Sequence, residues 1–292
     1  MLNDHGPTAA LRPLTGRAAE LADSVGAQLA GQAPLGVAYS GGVDSALLLA
    51  LAVRTLGAEQ VRPILAVSGS LARREHRAAL AQAAQIGVQV VEVATREQEL
   101  PAYQANGADR CFHCRDELFS LIDDELIPGL GLQAIAYGEN LDDSARPDRP
   151  GARAAVEHRV LKPLADAGLT KADVRFVARE LGLLAADKPS APCLASRIPH
   201  GQPVTPERLT QIEAAEDAVL AEGFSDCRVR HHGEIARIEV PTGELARLCE
   251  PEVRARLASQ LRAIGFRFVT ADLDGIQSGA FTLPLVTVRS HA

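Results

Sequence analysis

A short loop rich in glycine and serine carries the strongest chemical signal in the sequence. The string SGGVDS at residues 40–45 follows an apolar run and precedes a strongly helical one. Glycines at such a strand-to-helix turn let an anion approach the backbone, and the amides of the first helical turn are directed at it. The candidate phosphate ligands are Ser40, Gly41, Gly42, Asp44 and Ser45. The alternative interpretation is a glycine-rich turn that binds nothing.

This loop differs from the common nucleotide-binding loops. A Walker A loop has a lysine after its last glycine, and the GxGxxG fingerprint has a different spacing. Here Asp44 stands at the start of the predicted helix, where a carboxylate suits the helix dipole and can hold a Mg²⁺ that bridges phosphates. We therefore expect this loop to bind a phosphate with Mg²⁺ in a different way from kinase-like enzymes.

Three of the five cysteines stand in segments suited to sulfur or metal chemistry. Cys111 and Cys114 form a CxxC pair just before a predicted helix, flanked by Arg110 and Arg115, and cationic neighbours favour thiolates. A zinc site would need two further ligands, and none follows at zinc-finger spacing. The pair alone is therefore ambiguous between a redox pair, half of a metal site and coincidence.

Cys193 lies in the segment KPSAPCLASRIP, a loop stiffened by prolines, with Lys188 and Arg197 nearby. These cations favour a reactive thiolate over an inert thiol, and loops held by a rigid scaffold often carry function. A CxxC pair and one remote cysteine are also the ligand set of an iron–sulfur cluster with one open iron. The remaining cysteines, Cys227 and Cys249, are predicted to occupy ordinary apolar positions.

Composition and charge limit the classes of protein. The 292 residues are 47% apolar, and 30 basic residues against 37 acidic ones give a formal net charge of -7. Because no basic stripe is present, an extended nucleic-acid surface is not expected. No apolar run reaches the ~18 residues of a membrane span, and the N-terminus lacks the pattern of a signal peptide. We expect a packed, cytoplasmic protein without membrane or nucleic-acid partners.

The elements that position these residues alternate between strand and helix. PLGVAYS, VRPILAVS, GVQVVEVA and LQAIAYG are predicted strands, and the predicted helices between them cover residues 44–57, 71–86 and 114–126. This alternation predicts an α/β protein with a parallel sheet and helices on both of its faces. Ser68 and Gly138 end two of these strands, so we expect them at the carboxyl edge of the sheet, where such sheets bind ligands.

The second half of the chain has a different pattern. After a predicted loop over residues 145–154, Thr170 is the predicted N-cap of an amphipathic helix. A segment with five prolines, ADKPSAPCLASRIPHGQPVTPE, then marks the predicted domain boundary. Beyond it, a helix, two strands, a helix and a strand predict a smaller α+β domain. The predicted domains are residues 1–190 and 191–292.

Several motifs together resemble a known family. SGGVDS matches the pyrophosphatase-type loop (PP-loop) of the adenylating ATPases, whose fold is called adenine nucleotide alpha-hydrolase-like. RCFHC, GENLDD, LKPLADAGLTKADVRFVARELGL, KPSAPCLASRIPHG and VRHHGEIARIEV make the chain similar to the LarE family, and PCLASRIP is the most family-specific of these motifs. LarE proteins are ATP-dependent sulfurtransferases that make pyridinium-3,5-bisthiocarboxylic acid mononucleotide for the nickel-pincer cofactor of lactate racemase.

The resemblance implies a two-step reaction at a carboxylate of a small nucleotide. The carboxylate oxygen attacks the α-phosphate of ATP, and the PP-loop with Mg²⁺ holds the released pyrophosphate. Sulfur then displaces AMP from the acyl-adenylate. In this scheme residues 1–190 bind ATP and adenylate, whereas residues 191–292 bind the substrate, include the Cys193 loop and assemble the protein into a homo-oligomer.

The family has two sources of sulfur, and the cysteines bear on the choice. In the sacrificial form, the cysteine aligned with Cys193 loses its sulfur and becomes dehydroalanine. In the other form, the equivalents of Cys111, Cys114 and Cys193 hold a [4Fe-4S] cluster whose open iron carries a hydrosulfide. Because all three cysteines are present here, the resemblance favours the cluster form, and the sacrificial form is the alternative.

The resemblance also implies the residues that bind an anionic substrate. Arg228 and Arg230 alternate onto one face of a predicted strand and correspond to substrate-binding arginines, Arg197 is a third candidate, and Glu216 matches an acidic position near the active site. From the residues alone, a solvated strand face is the preferred interpretation of Arg228 and Arg230, and an exposed helix charge is the alternative interpretation of Glu216. The segment YGENLDDSARPDRPG departs from the DGTN-like start that is common in the family.

Three other functions compete with this one. A tRNA-thiolation PP-loop enzyme also combines a CxxC pair with another cysteine, but it needs a large basic face. An amide-forming synthetase needs an ammonia source and leaves Cys193 without a role. A non-catalytic nucleotide sensor would bind ATP at the loop without releasing pyrophosphate.

Overall fold

The computed structural model describes residues 11–145 and 150–277. The chain divides into two compact units. The first unit consists of Met1–Ser68, Arg73–Thr95 and Cys114–Ala191, and the second of Gly69–Ala72, Arg96–His113 and Pro192–Ala292, each so far as its residues are described. The domain boundary between residues 190 and 191 stays a prediction.

The strands and helices are numbered in chain order. The strands are β1 (Leu35–Ala38), β2 (Val61–Val67), β3 (Val91–Ala94), β4 (Ala134–Tyr137), β5 (Arg228–His232), β6 (Ile235–Glu239) and β7 (Phe268–Ala271). The helices are α1 (Gly16–Leu29), α2 (Val43–Leu56), α3 (Arg73–Ile86), α4 (Pro101–Gln104), α5 (Arg110–Leu121), α6 (Ile127–Leu130), α7 (Leu141–Ser144), α8 (Pro150–Glu157), α9 (Pro163–Asp166), α10 (Lys171–Leu181), α11 (Pro206–Ala221), α12 (Leu245–Leu248) and α13 (Pro251–Ala263).

The sheet of the first unit is parallel throughout, with the strand order β3-β2-β1-β4. Leu35, Gly36 and Val37 of the inner strand β1 are all buried, as expected for a strand in a sheet that helices cover on both faces. Parallel neighbours need crossover connections, and helices supply them here. The predicted α/β class of the nucleotide-binding part is confirmed.

Helix α2 lies at the centre of the first unit. Its sequence is apolar almost all round, and residues 45–52 are buried without a break, which is typical of a helix covered on all sides. Helices α1, α3 and α10 contact it. The start of α2, together with the loop at residues 40–45, is therefore held firmly behind the carboxyl end of β1.

The second unit contains a three-stranded sheet in the order β5-β6-β7, in which β5 and β6 are antiparallel and β6 and β7 are parallel. Apolar side chains of helices α11 and α13 pack with those of the sheet in one hydrophobic core. Cys227 is a buried member of that core, as predicted. Cys249 is exposed, so its predicted apolar position is wrong.

Two segments differ from the sequence-based expectation. Residues 145–154 were predicted as a loop, but helix α8 begins at Pro150, because proline is well suited to the first position of a helix and the helix formers Ala152, Arg153 and Ala154 follow Gly151. The CxxC pair lies inside the first two turns of α5, not before the helix. Over the described ranges, 11–145 and 150–277, no helix combines the length and apolarity needed to cross a membrane.

Candidate functional site

The loop at residues 40–45 joins β1 to α2 as predicted, and its binding of an anion stays a prediction. The hydroxyl of Ser45 donates to the carbonyl of Gly42 at 3.1 Å and accepts from the amide of Ser40 at 3.2 Å. These bonds close the loop on itself at the first turn of α2, whose amides have no acceptor within the helix. The side chain of Ser40 is exposed at its mouth.

The glycines of this region differ in whether the surrounding structure leaves space for a side chain. Gly41 has a φ of +72°, and a Cβ there would lie 2.6 Å from the Cβ of Ala79. Gly138 follows β4, and its Cβ would lie 2.7 Å from the backbone of Asp44 and Ser45. At Gly42 a Cβ would meet nothing nearer than the Ser40 hydroxyl, at 3.5 Å. The fold therefore needs glycine at 41 and 138, whereas position 42 is open towards the loop mouth.

The two adjacent glycines provide a test of phosphate binding. Gly42→Ala should leave thermal stability unchanged, because its φ of −76° suits any residue, but the methyl group should weaken ATP binding about tenfold or more by blocking one charged hydrogen bond. Gly41→Ala should instead cost about 1–3 kcal/mol of folding free energy. Calorimetry of ATP binding and of unfolding separates the effects. Wild-type ATP affinity in Gly42→Ala would contradict phosphate binding at this loop.

Asp44 is part of a polar cluster that the sequence did not predict. Its carboxylate accepts from the side-chain amide of Asn140 at 2.9 Å and forms an ion pair with the ammonium of Lys171. Thr170 caps α10 with a capping box, which confirms the predicted N-cap and fixes Lys171 as the first residue of the helix. The signal for Lys171 was a lysine directly after a capping threonine.

This cluster suits Mg²⁺ and a polyphosphate. In proteins, Mg²⁺ binds through one or two carboxylates and takes further oxygens from phosphates and water. Asp44 is a single carboxylate at the start of a helix, so it meets that requirement, and the cation of Lys171 beside it suits an anionic ligand. Ser68 directly follows β2, which puts it at the carboxyl edge of the same sheet as predicted.

Cys193 lies in the second unit, where its thiol is exposed and its backbone is held firmly. The guanidinium of Arg197 donates to the carbonyls of Pro192 and Cys193 at 2.7 and 3.2 Å. It also forms two hydrogen bonds, at 2.7 and 3.2 Å, with the carboxylate of Glu216. Arg197 is 1% exposed and Glu216 0%. This buried ion pair fixes the turn that carries Cys193.

The two strand arginines are also buried. Arg230 donates twice to Glu239, both at 2.8 Å, and once to the carbonyl of Ser196 at 3.0 Å. Arg228 donates to Asp226 at 2.6 Å and to the carbonyl of Cys227 at 2.7 Å. A solvated strand face is therefore excluded, and the burial of Glu216 likewise excludes an exposed helix charge. Substrate binding by these side chains stays a prediction.

Arg110 is a site residue whose role the sequence did not reveal. It is buried, and it donates to the side chain of Asn106 at 2.6 Å and to the carbonyl of Ala195 at 2.9 Å. Burial by itself would lower the pKa of the guanidinium, but negative charge on Cys193 and Cys111 raises it. The signal available in the sequence was only its place beside the CxxC pair.

The cysteines do not form a ready-made metal site. Cys111 is exposed and Cys114 half-buried. Within the described part of the chain, no group of three or more cysteine, histidine, aspartate or glutamate side chains is arranged to hold a metal ion. The [4Fe-4S] cluster stays a prediction from the sequence.

Comparison with known proteins gives the family. The asparagine synthase family model matches residues 17–136. An uncharacterized protein of Synechocystis sp. is 40% identical over 243 residues, covering 83% of this chain and 90% of that protein. The pyridinium-3,5-bisthiocarboxylic acid mononucleotide synthase of Lactiplantibacillus plantarum is 32% identical over 243 residues, covering 83% of this chain and 87% of that enzyme. With that identity over most of both chains, and with the PP-loop in place, this chain belongs to the LarE family of ATP-dependent PP-loop sulfurtransferases.

Proposed function

We propose that this protein converts the carboxylates of pyridinium-3,5-biscarboxylic acid mononucleotide to thiocarboxylates during nickel-pincer cofactor biosynthesis. The observation that carries the proposal is the exposed thiol of Cys193 on a turn clamped by a buried ion pair, in a chain that also has a PP-loop. An exposed thiol on a rigid support suits a sulfur that must reach an activated substrate. The relative from Lactiplantibacillus plantarum is named for the same product.

In this proposal, the PP-loop supports the first step of the reaction, the adenylation of the substrate. A substrate carboxylate oxygen attacks the α-phosphate of ATP, the bond to the β-phosphate breaks, and pyrophosphate leaves. The amides of α2, Ser40 and Ser45 hold the departing pyrophosphate, and Lys171 contributes positive charge. Mg²⁺ bound at Asp44 would neutralise charge on the phosphates. Ser68 and Gly138 border the nucleotide at the edge of the sheet.

In this proposal, Cys193 supplies the sulfur in the second step of the reaction. Its thiolate attacks the acyl carbon, and AMP leaves with the electron pair of the bond that breaks. A base then removes the α-proton of Cys193, the carbon–sulfur bond of the side chain breaks, and the thiocarboxylate departs. Dehydroalanine remains in the chain. Arg197, Arg228, Arg230 and Glu216 are the proposed neighbours of the anionic substrate.

The sulfur source and the cofactor content are tested in one experiment. Protein purified without oxygen is analysed for iron and sulfide, and its intact mass is measured before and after incubation with ATP, Mg²⁺ and the biscarboxylate mononucleotide. We expect one thiocarboxylate per chain and a chain lighter by the mass of H₂S at Cys193. About four irons per chain with repeated turnover would replace this route by the [4Fe-4S] route.

The same experiment separates the competing functions. Pyrophosphate release without a thiolated mononucleotide would contradict the proposal. Sulfur incorporated into bulk tRNA at physiological salt would favour the tRNA-thiolation enzyme, and ATP binding without pyrophosphate release would favour the nucleotide sensor. The oligomeric state, proposed to be a homo-oligomer, is measured by light scattering of the same sample.

A further inference from the structure

Both carboxylate oxygens of Asp44 have partners within the first unit. Oδ1 accepts from the side-chain amide of Asn140 at 2.9 Å, and Oδ2 forms the ion pair with the ammonium of Lys171. Mg²⁺ binds carboxylate oxygens in a nearly ideal octahedral arrangement and tolerates little distortion. Because both oxygens are engaged, Asp44 accepts the metal only after one of its two partners has left.

The two partners of Asp44 differ in how firmly they are held. Asn140 is 1% exposed, and its side chain donates to the carboxylate of Asp143 at 2.8 Å and accepts from the amide of Asp143 at 3.1 Å. The side chain of Lys171 is 40% exposed and ends a flexible stem. Among the described residues its ammonium has no second partner. Lys171 is therefore the displaceable partner, and Asn140 is the permanent one.

Helix stability does not explain the position of this ammonium. Lys171 is the first residue of α10, and a positive charge at the start of a helix opposes the helix dipole. The backbone there is held without the ammonium, because the amide of Lys171 donates to the carboxylate of Asp142 at 2.8 Å and Thr170 forms the capping box with Asp173. The ammonium thus serves the site around Asp44 and not the helix that carries it.

We propose that Lys171 occupies the place of the metal at Asp44 while the nucleotide site is empty, and moves to the polyphosphate when ATP and Mg²⁺ bind. The proposal rests on the proposed function, which puts Mg²⁺ at Asp44 and the phosphates at the PP-loop. In this exchange Asp44 replaces one cation by another, and the released ammonium gains an anionic partner. Lys171 therefore makes metal binding depend on the nucleotide, since a free divalent cation must displace it without offering it a new partner.

Binding of Mn²⁺ in the absence of nucleotide tests the first half of the exchange. Mn²⁺ takes the same oxygen ligands as Mg²⁺, and electron paramagnetic resonance measures its binding. Lys171→Met removes the ammonium and keeps an apolar stem. We expect this variant to bind free Mn²⁺ at least about tenfold more tightly than the wild type, because a competing ion pair and a like charge are both removed. Adding Asp44→Asn to Lys171→Met should abolish the gain.

Arg54 provides the matched control for this measurement. Its guanidinium pairs with Asp23 at 3.0 Å and its side chain is 42% exposed. It lies in the last turn of α2, whereas Asp44 lies in the first turn. Arg54→Met therefore removes the same charge from the same unit and also frees an aspartate, but it should leave the affinity for Mn²⁺ within about twofold of the wild type. An equal gain in Arg54→Met would assign the effect to net charge and contradict the proposal.

Binding of ATP at saturating Mg²⁺, measured by calorimetry without the mononucleotide, tests the second half of the exchange. We expect Lys171→Met to bind ATP about tenfold more weakly than the wild type, because the polyphosphate loses a cation. This effect is opposite in sign to the effect on free Mn²⁺, whereas loss of a merely structural residue weakens both. Lys171→Gln is the second variant if Lys171→Met does not fold.

The outcomes separate this proposal from the proposed function. Equal affinities of the wild type and Lys171→Met for free Mn²⁺, an undiminished affinity for ATP, or a gain that survives Asp44→Asn each overturns the exchange, even if the wild type thiolates the mononucleotide. If the wild type releases pyrophosphate but never thiolates the mononucleotide, the proposed function fails, while the two binding measurements still decide the role of Lys171.

Discussion

Replacing Cys193 with serine is expected to leave a folded protein that adenylates its substrate and transfers no sulfur. The thiol is exposed, and the turn around it is held through backbone carbonyls, which the substitution does not change. Serine has the same shape but is a poor nucleophile at its ordinary pKa, and it has no sulfur to give. Thiocarboxylate formation should fall by at least about three orders of magnitude.

The measurement for Cys193→Ser is a paired assay of pyrophosphate release and of the thiolated product by mass spectrometry. Cys249→Ser is the matched control, since Cys249 is also an exposed thiol of the second unit. It should behave as the wild type in both assays. Sulfur transfer at a wild-type rate by Cys193→Ser would show that the sulfur comes from elsewhere.

Glu216→Ala is expected to have the largest effect on stability. The carboxylate of Glu216 is fully buried, accepts two hydrogen bonds from Arg197 and also accepts from the amide of Val229 at 3.1 Å. Its removal leaves the guanidinium buried without its counter-charge, which typically costs about 3–5 kcal/mol. Chemical denaturation monitored by circular dichroism measures the loss. Thr210→Ala changes an exposed side chain on the same helix and should change stability by less than about 0.5 kcal/mol.

A double variant separates stability from positioning at this pair. Arg197→Met with Glu216→Leu removes both charges and keeps much of the apolar volume, so part of the lost stability should return. The carbonyls of Pro192 and Cys193 would still lack their donor. Sulfur transfer should therefore stay low in a protein that is again stable. Full recovery of sulfur transfer in the double variant would contradict a role of the ion pair in holding the Cys193 turn.

Several features of the fold were predictable because they depend on local chemistry. Short apolar runs that alternate with helical patterns predict parallel strands, since only such strands need a crossover between them. SGGVDS at the end of one run predicts a turn from strand to helix, because its glycines permit unusual backbone angles. Thr170 before a helical segment predicts a cap. Each of these statements concerns neighbours in sequence, and the structure agrees with each.

Other features were not predictable because they join residues far apart in the chain. Lys171 pairs with Asp44 across 127 positions, and Arg110 reaches the carbonyl of Ala195 across 85. No local pattern distinguishes these cations from ordinary surface lysine and arginine. Glu216 could not be assigned from the sequence for the same reason. A carboxylate on a helix is usually exposed, whereas this one is buried.

The sequence by itself determined the class of fold and the family, and it predicted the anion-binding loop and the roles of Cys111, Cys114 and Cys193, because these depend on residue types within short motifs. Only the tertiary structure decided which side chains surround them. It buried the pair of Arg197 and Glu216 under the Cys193 turn, and it brought the guanidinium of Arg110 to the carbonyl of Ala195, two residues after Cys193. The physical reason is that burial and pairing of charges are properties of long-range packing, which local sequence does not encode.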